Sequence, residues 1–418
     1  MKLLFVADAR SPISLSWIEY FVEAGHDAHI ISTYPCPTDA LRGATIHHVP
    51  IAFSWLSQIN HNGATGNHTS ARRNGPLASL RVGALSGLSL TMRSWLSPVE
   101  LLRHVKKTHD LITRISPDVV HAMRIPFEGI LASKSVPESL PLILSVWGND
   151  FTLFAAQNPL IGRQTKSALR RANALLCDCD RDLQLAFADW GFQREKPTAV
   201  LPAAGGIKAT FQKPDEESES LRRKQLKINE SAPVVLNPRG FRQYVRNDVF
   251  FKAIPLVLNR QPETVFLCTG MQKNPVAEKW VTRESIGTSV RLLPLVDHDS
   301  MATLFRISNI AVSPSLHDGT PNSLLEAMAC GCFPVAGAIE SLKEWIVDGE
   351  NGLLCDPESP ESLASAILRA IEDPGLQERA AEINQRVISE RAEYNSIMQR
   401  AEQFYGRVIS RSHQAPGV

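Results

Sequence analysis

The chain has 418 residues, of which 44% are hydrophobic and 21% are charged, and its formal net charge is +1. This length allows two or three domains of ordinary size, and the composition is that of a globular protein. The near-neutral charge argues against a dedicated nucleic-acid-binding protein, which would carry a basic surplus.

The seven cysteines lack the paired spacing of a zinc site, and we interpret them as reduced thiols of a cytoplasmic protein. No stretch approaches the roughly 18 apolar residues of a membrane span. The apolar run at 3–8 is too short for a signal peptide and instead predicts a first buried strand.

The first half alternates short apolar runs with amphipathic stretches. Continuous apolar runs of this kind are typical of parallel strands that helices cover on both faces. The first helix is predicted at 11–25, between two strands. The strands predicted in this half are 3–8, 26–33, 117–122, 140–147 and 173–179.

The segment 57–97 interrupts this alternation with a loop-like sequence. Between 71 and 107 there are seven Lys or Arg and one acid, Glu100. One interpretation is a solvated, mobile insertion. The other is a basic flap that contacts an acidic acceptor or the anionic headgroups of a membrane.

The alternation returns after residue 230, which predicts a second doubly wound α/β domain with right-handed crossovers. We expect domains at 1–205 and 206–390, with a helix and tail at 391–418 that pack back toward the first domain. Ligands favour clefts between such domains. In this half the predicted strands are 232–238, 263–270, 289–295, 309–315 and 332–337, and the predicted helices are 247–260, 273–285, 298–308 and 323–330.

The stretch 315–335, SLHDGTPNSLLEAMACGCFPV, places a turn between a strand and a helix. Asp318 precedes the turn, and Glu326 lies one helical turn beyond it. One interpretation is structural, because Ser323 and Glu326 match a capping box. The other is a ligand site. Free amides and the positive helix end favour phosphate, and Glu326 would accept hydrogen bonds from ribose hydroxyls.

Two arginines, Arg239 and Arg246, follow the first strand of the second half. Ligands of open α/β sheets bind at the carboxyl ends of the strands, so both cations are expected at the same edge as the 318–326 turn. Arginine binds phosphate oxygens through paired hydrogen bonds. The alternative is that both are surface side chains of their loop, like Arg242.

The second half resembles the retaining glycosyltransferases of family 4, which have the GT-B fold of two facing Rossmann-like domains. Their acid-x7-Glu pattern, usually with Glu first and followed by AMA-C/S-G-x-PV, matches Asp318, GTPNSLL, Glu326 and AMACGCFPV. The resemblance covers most of 230–373 and, more weakly, the rest of the chain. It implies an α/β GT-B fold with an interdomain cleft.

Carried over by position, the resemblance assigns Arg239 and Arg246 to the departing diphosphate, Asp318 to the donor sugar and Glu326 to the ribose. Asp318 stands where the family usually has Glu, and this shorter side chain bears on donor choice. The base is expected near 294–296, mostly against backbone. The remaining nucleotide-binding candidates are Gly319, Thr320, Pro321, Asn322, Ser323, Pro294 and Leu295.

The first half matches the family less well, since its first strand–helix turn at 7–16 lacks the usual Gly pair. His121 matches the first position of the family's His-x-His, while Met123 replaces the second. His121 is therefore a catalytic candidate, with a structural histidine as the alternative. Asp150, in the turn SVWGNDF at 145–151, is a further catalytic candidate, with helix capping as the alternative.

The sequence thus predicts a retaining, metal-independent glycosyltransferase. Its donor is a nucleoside diphosphate sugar, UDP first and GDP as the alternative, and its acceptor is a hydroxyl of a glycan or lipid-linked molecule, such as a cell-envelope polysaccharide. The donor is a substrate, so no permanently bound cofactor and no nucleic-acid partner are expected. The expected location is the cytoplasm, with the inner face of the membrane as an option. The alternatives are an isomerase like UDP-N-acetylglucosamine 2-epimerase and a non-catalytic nucleotide-sugar-binding protein.

Overall fold

The computed structural model describes residues 1–51, 100–156, 158–212 and 216–414, so the predicted insertion at 57–97 lies outside the described residues. The chain divides into two compact units. The first unit comprises Met1–Asp178, Asp182–Ala204 and Gln399–Val418, and the second comprises Cys179–Arg181 and Gly205–Met398.

The described part of the first unit contains a seven-stranded parallel sheet. Its strands are β1 (Lys2–Ala7), β2 (Asp27–Ser32), β3 (Thr45–His48), β4 (Val119–Ala122), β5 (Leu142–Val146), β6 (Ala174–Cys177) and β7 (Thr198–Val200). Their order is β3-β2-β1-β4-β5-β6-β7. The helices wholly or mainly in this unit are Pro12–Glu23, 100–115, Ile130–Ser135, Pro159–Arg171, Asp180–Ala188 and Tyr394–Gln414.

The second unit contains a six-stranded parallel sheet. Its strands are β8 (Val234–Asn237), β9 (Val265–Cys268), β10 (Val290–Leu292), β11 (Ile310–Ser313), β12 (Phe333–Gly337) and β13 (Leu353–Cys355), in the order β10-β9-β8-β11-β12-β13. The helices described in this unit are Glu216–Gln225, Asn247–Leu258, Pro275–Arg283, His298–Arg306, Asn322–Ala329, Glu340–Lys343, Pro360–Glu372 and Pro374–Arg391.

Both sheets confirm the doubly wound α/β architecture that the sequence predicted. The central strands are buried on both faces, as their continuous apolar runs require; β8 and β11 are buried throughout. In each unit the strand order reverses at one place, between β1 and β4 and between β8 and β11. Such topological switch points are where open α/β sheets bind ligands.

Three of the described strands, β3, β7 and β13, were not predicted from the sequence, and each of them lies at the end of its sheet. β3 reads TIHH and is only partly buried, and β7 and β13 have three residues each. Edge strands are short and need not be apolar on both faces, so they lack the signal that identifies central strands.

The C-terminal helix begins at Tyr394, three residues after the predicted bound at 391, because the helix Pro374–Arg391 precedes it and ends at Arg391. Between the two helices, Ala392 O accepts a 2.7 Å hydrogen bond from Ile207 N, and Tyr394 N donates to Ile207 O at 3.2 Å. From Gln399 onward the C-terminal helix belongs to the first unit, where Phe404 and Tyr405 are fully buried.

None of the seven cysteines, all of which lie in the described residues, forms a disulfide, and five of them are buried. Burial raises the pKa of the Cys268 thiol well above its ordinary value, which keeps it protonated. Among the helices that the structure describes, none has the length and apolar character needed to cross a bilayer.

We expect Gly206→Ala to destabilise the second unit by about 2 kcal/mol or more. Gly206 has φ +95°, and a Cβ there would lie 2.4 Å from Ala392 O, a backbone atom that cannot move aside cheaply. The matched change Gly406→Ala, inside the helix Tyr394–Gln414 and with no atom within 4 Å of the new Cβ, should stabilise by about 1 kcal/mol. Thermal unfolding of the three proteins measures both effects, and equal melting temperatures would contradict the expectation.

Candidate functional site

The switch point of the second sheet is lined by the two loops that follow β8 and β11. The β8 loop is fixed from within. Asn237 Oδ1 accepts a hydrogen bond from Arg239 N at 3.1 Å, and Asn237 Nδ2 donates to Asn247 Oδ1 at 3.0 Å. Asn247 Nδ2 also donates a hydrogen bond to Arg242 O, a backbone atom of the same loop, at 3.4 Å. Two buried asparagines thus set the course of the loop that carries the arginines.

Arg239 and Asp318 form a direct ion pair across this switch point. Only 15% of the Arg239 side chain and 9% of the Asp318 side chain are exposed. Burial acts to lower the pKa of Arg239, but the Asp318 carboxylate and the Tyr244 phenol outweigh it and raise that pKa above its ordinary value. The structure therefore brings together two of the predicted site residues as a buried pair.

Arg246 has different partners. It adopts a left-handed backbone conformation (φ 50°, ψ 48°), and its guanidinium donates two 3.0 Å hydrogen bonds to the carboxylate of Asp248. Glu358 lies 3.5 Å away on the other side. The hydrogen bonds from Arg246 lower the pKa of Asp248. The predicted second cation is thus held by carboxylates other than Asp318.

The turn after β11 is held by two side chains from one neighbouring segment. Ser341 Oγ donates to Asp318 O at 2.8 Å, and Trp345 Nε1 donates to Thr320 Oγ1 at 3.0 Å. The turn continues through Gly319 and Pro321. Its course is therefore fixed by contacts that leave the Asp318 carboxylate to the ion pair.

The predicted capping box is wrong. The helix Asn322–Ala329 has Pro321 at its N-cap, and no side chain caps it. This places Ser323 inside the first turn, where its side chain cannot fill the capping position, and Glu326 is too far along the helix to reach back. No capping side chain therefore accepts a hydrogen bond from the backbone amides at the start of this helix. The Oδ1 atom of Asn322 is buried without a hydrogen-bond partner among the described residues.

Glu326 lies one turn into the same helix. Burial raises the pKa of its carboxyl to about 7, from an ordinary value of 4.5. In the part of the chain that the structure describes, no side chain or backbone group hydrogen-bonds to this carboxyl. A partly buried carboxyl of this kind can accept hydrogen bonds from a ligand, and its charge then depends on pH near neutrality.

The loop after β10 contains the predicted base-binding residues Pro294 and Leu295. Pro294 O accepts a 3.1 Å hydrogen bond from Gly270 N, so this carbonyl is already used to fix the loop. Leu295 is 88% exposed, an unusual state for a large apolar side chain at the carboxyl end of a strand. The loop therefore offers an apolar surface at this sheet edge.

In the first unit, His121 is fully buried at the end of β4. Its Nδ1 contacts Tyr405 Oη, and its Nε2 lies 2.7 Å from Ser145 Oγ. Trp17 Nε1 donates to Tyr405 Oη at 3.0 Å, and the Tyr405 hydroxyl has a proton that it can donate in turn to Nδ1. Burial lowers the pKa of His121 to about 3. Both ring nitrogens are occupied, which favours the structural alternative; the catalytic role stays a prediction.

Asp150 is also completely buried. Arg124 Nε donates to its Oδ1 at 2.9 Å, and the amides of Ile125 and Trp147 donate to its Oδ2 at 3.3 and 3.2 Å. Burial raises the pKa of Asp150, although the contacts with Arg124 act in the opposite direction. The carboxylate joins the loops after β4 and β5, and both of its oxygens accept hydrogen bonds from the protein, which favours a structural role. The catalytic role of Asp150 stays a prediction.

Glu128 is a buried acid that the sequence analysis did not single out. Its Oε1 accepts a 2.7 Å hydrogen bond from Thr33 Oγ1, which ties the loop after β4 to the end of β2. Burial raises its pKa to about 7. The preceding residue, Phe127, has φ 73°. The only signal in the sequence was its place shortly after a strand beside the switch point. Tyr244, in the second unit, was also not predicted. Its contact with Arg239 is seen only in the three-dimensional structure.

Two family models match this chain: glycosyl transferases group 1 over residues 218–387, and glycosyl transferase 4-like over 78–179. A D-inositol 3-phosphate glycosyltransferase of Streptomyces griseus subsp. griseus is 30% identical over 142 residues, covering 32% of this chain and 30% of the relative. One from Corynebacterium urealyticum is 22% identical over 209 residues, covering 48% and 49%. The chain spans about a third to a half of the length of these curated relatives.

Among solved structures, Anabaena HepE in complex with UDP is similar over 97% of this chain and 100% of its own, with a TM-score of 0.70 and 16% identity. At this identity the likeness is one of fold. Together with the two parallel sheets it confirms the predicted GT-B fold, and the family models confirm the resemblance drawn from the motif around Asp318 and Glu326.

We expect Tyr405→Phe to lower the free energy of unfolding of the first unit by about 1–3 kcal/mol, because Trp17 Nε1 and His121 Nδ1 both lose their buried partner. The matched change Tyr20→Phe removes a hydroxyl that donates to Glu402 from a partly exposed position, and it should cost less. Urea unfolding followed by circular dichroism compares the two variants. A Tyr405→Phe protein as stable as the wild type would show that the two hydrogen bonds at the Tyr405 hydroxyl do not contribute to stability.

Proposed function

This chain belongs to the group 1 glycosyltransferases, and from that premise we propose that it transfers a sugar from a nucleoside diphosphate donor to a hydroxyl acceptor with retention at the anomeric carbon. UDP is the first candidate for the nucleotide, and GDP is the second. The acceptor is a glycan or a lipid-linked molecule. The observation that carries the proposal is the Arg239–Asp318 pair at the switch point, beside an uncapped helix end.

The diphosphate is placed at this helix end. A free helix N-terminus offers amide donors and a partial positive charge, both of which favour phosphate. Arg239 lies on the neighbouring loop, and a guanidinium can donate two hydrogen bonds to phosphate oxygens. The turn residues Gly319 to Ser323 supply the backbone that approaches the ligand most closely. Thr320 keeps its hydroxyl on Trp345, so it acts through its backbone.

The nucleoside is placed along the same sheet edge. Glu326 accepts hydrogen bonds from the ribose hydroxyls, since its carboxyl has no other partner among the described residues. The exposed Leu295 side chain provides an apolar surface for the base. Arg246 comes to the diphosphate by exchanging its exposed partners Asp248 and Glu358 for phosphate oxygens.

The reaction breaks the bond between the anomeric carbon and the diphosphate oxygen, and it forms a bond from that carbon to the acceptor oxygen on the same face. The acceptor proton passes to the departing phosphate oxygen. The protein stabilises the charge that grows on the diphosphate through Arg239, Arg246 and the amides of the helix end. Asp318 contacts hydroxyls of the donor sugar. His121 and Asp150 are buried with hydrogen-bond partners in the first unit, and their catalytic role stays a prediction.

Contact with an anionic membrane remains part of the proposal. It depends on the basic segment 71–107, most of which lies outside the described residues. A flotation assay with anionic vesicles that shows no association would remove this part and leave the transferase proposal intact.

We expect Arg239→Ala to lower donor turnover by about 100-fold, the loss of one charge-assisted contact that strengthens in the transition state. Arg239→Lys keeps the charge beside Asp318, and therefore the fold, and should lose about tenfold. The surface change Arg260→Ala, at a residue paired only with the exposed Glu372, should have no effect. The measurement is nucleotide release from a panel of UDP and GDP sugars, with mass detection of the product.

The same screen separates the alternatives. If neither UDP nor GDP binds the wild type, the nucleotide site is wrong. Binding without any turnover or hydrolysis would favour a non-catalytic binding protein. A new sugar epimer formed from the donor alone would favour an isomerase.

Binding of UDP should weaken by up to about tenfold between pH 8 and pH 6, with a midpoint near 7. Glu326 is ionised above its raised pKa and accepts from both ribose hydroxyls, whereas below it the protonated carboxyl accepts less well. Calorimetric titration across this range measures the profile. Glu326→Gln should flatten it, apart from titration of the nucleotide itself; an identical profile in this variant would count against the assignment.

A further inference from the structure

We propose that the Asp318 carboxylate competes with the donor's diphosphate for Arg239, so that the free site resists a bare nucleotide and accepts an intact sugar donor. This inference rests on the proposed function and goes beyond it, because it gives Asp318 a role in selecting between substrate and product. Asp318 is then a specificity-determining residue and not only a contact to the sugar.

The Arg239–Asp318 pair is fixed from both sides. The Asp318 backbone is held by Ser341, which is itself completely buried, and the Arg239 backbone is held by Asn237. Neither loop is free to carry its charge away from the other. A phosphate that approaches the Arg239 guanidinium must therefore displace the carboxylate or lie beside it.

Displacing the Asp318 carboxylate from Arg239 costs free energy. Both side chains are largely excluded from water, and separating such a pair leaves a buried, unpaired carboxylate, which is strongly unfavourable. A diphosphate beside Asp318 adds repulsion between like charges. UDP alone brings nothing that compensates the carboxylate. An intact donor brings sugar hydroxyls, which donate hydrogen bonds to Asp318 and so release Arg239 to the diphosphate.

Arg246 provides the contrast within the same site. Its partners Asp248 and Glu358 are 40% and 71% exposed, so water can solvate both carboxylates when Arg246 leaves them. Exposed pairs of this kind contribute little to stability. Arg246 can therefore move to phosphate at small cost, and the resistance to a bare nucleotide comes from Arg239.

The experiment is calorimetric titration of UDP into the wild type and into Asp318→Asn. The variant keeps the shape of the side chain and an oxygen that can accept from Arg239, but it removes the competing charge. We expect UDP to bind the variant at least about tenfold more tightly, and the preference for UDP-glucose over UDP to be smaller than in the wild type. Asp348→Asn, which removes the same charge from an exposed loop of this unit, should leave UDP affinity unchanged.

A double variant tests whether the gain acts through Arg239. In the Arg239→Ala background, the additional change Asp318→Asn should strengthen UDP binding much less than it does when Arg239 is present, because only the like-charge repulsion is then relieved. If the full gain persists without Arg239, repulsion alone explains it and competition for the guanidinium is refuted. Asp318→Ser serves the same comparison should Asp318→Asn fail to fold.

Two outcomes separate this inference from the proposed function. If neither wild type nor Asp318→Asn binds UDP or GDP, the proposed function fails and the inference falls with it. If both bind UDP equally well, or if the preference for UDP-glucose is the same in both, the proposed function stands and the inference alone is overturned.

Discussion

The buried ion pair between Arg239 and Asp318 is the contact on which the carboxyl edge of the second sheet depends. It joins the loops after β8 and β11, and the surrounding polar groups each serve one side of it. Asn237 and Asn247 shape the arginine loop, and Ser341 fixes the backbone of the aspartate. A charge pair so little exposed is stable only while both partners stay together. The same two charges are those that a diphosphate and a sugar would engage, so structural support and ligand recognition draw on one interaction.

The two sheets have the same construction, but the polar groups at their carboxyl edges are arranged differently. In the first unit, the charged and titratable groups that we single out are tied to partners from neighbouring loops: His121 between Tyr405 and Ser145, and Asp150 between Arg124 and two backbone amides. In the second unit, the carboxyl of Glu326 has no hydrogen-bond partner among the described residues. The Oδ1 atom of Asn322 is also buried without one, as is that of Asn149 in the first unit, so the contrast rests on the titratable groups. This difference is why we place the nucleotide in the second unit and give the first unit's buried acid and histidine a supporting role.

The sequence predicted the central strands and the residues of the switch point because both are encoded locally. Apolar runs mark β8 and β11, and the turn between Asp318 and Glu326 is continuous in the chain. The sequence did not predict which carboxylate would form an ion pair with Arg239 and which with Arg246. Arg239 pairs with a residue 79 positions away, whereas Arg246 pairs with Asp248 beside it, and no spacing rule separates the two cases. The capping box failed for a related reason, since Pro321 took the N-cap position. The edge strands β3, β7 and β13 were not predicted because they have only three or four residues. The Tyr405 contact with His121 joins residues 284 positions apart.

The helix Tyr394–Gln414 begins in the second unit and continues in the first. Its buried aromatic residues, Phe404 and Tyr405, complete a core whose other members, such as Phe5 and Phe21, come from the start of the chain. During synthesis on the ribosome, the first unit therefore lacks part of its interior until the residues beyond Gln399 have been added. The apolar surface that Phe404 and Tyr405 cover stays without these two residues while Gly205–Met398 of the second unit is being translated. The first unit therefore receives its last core residues after the second unit has been synthesised, although its first strand is synthesised before it.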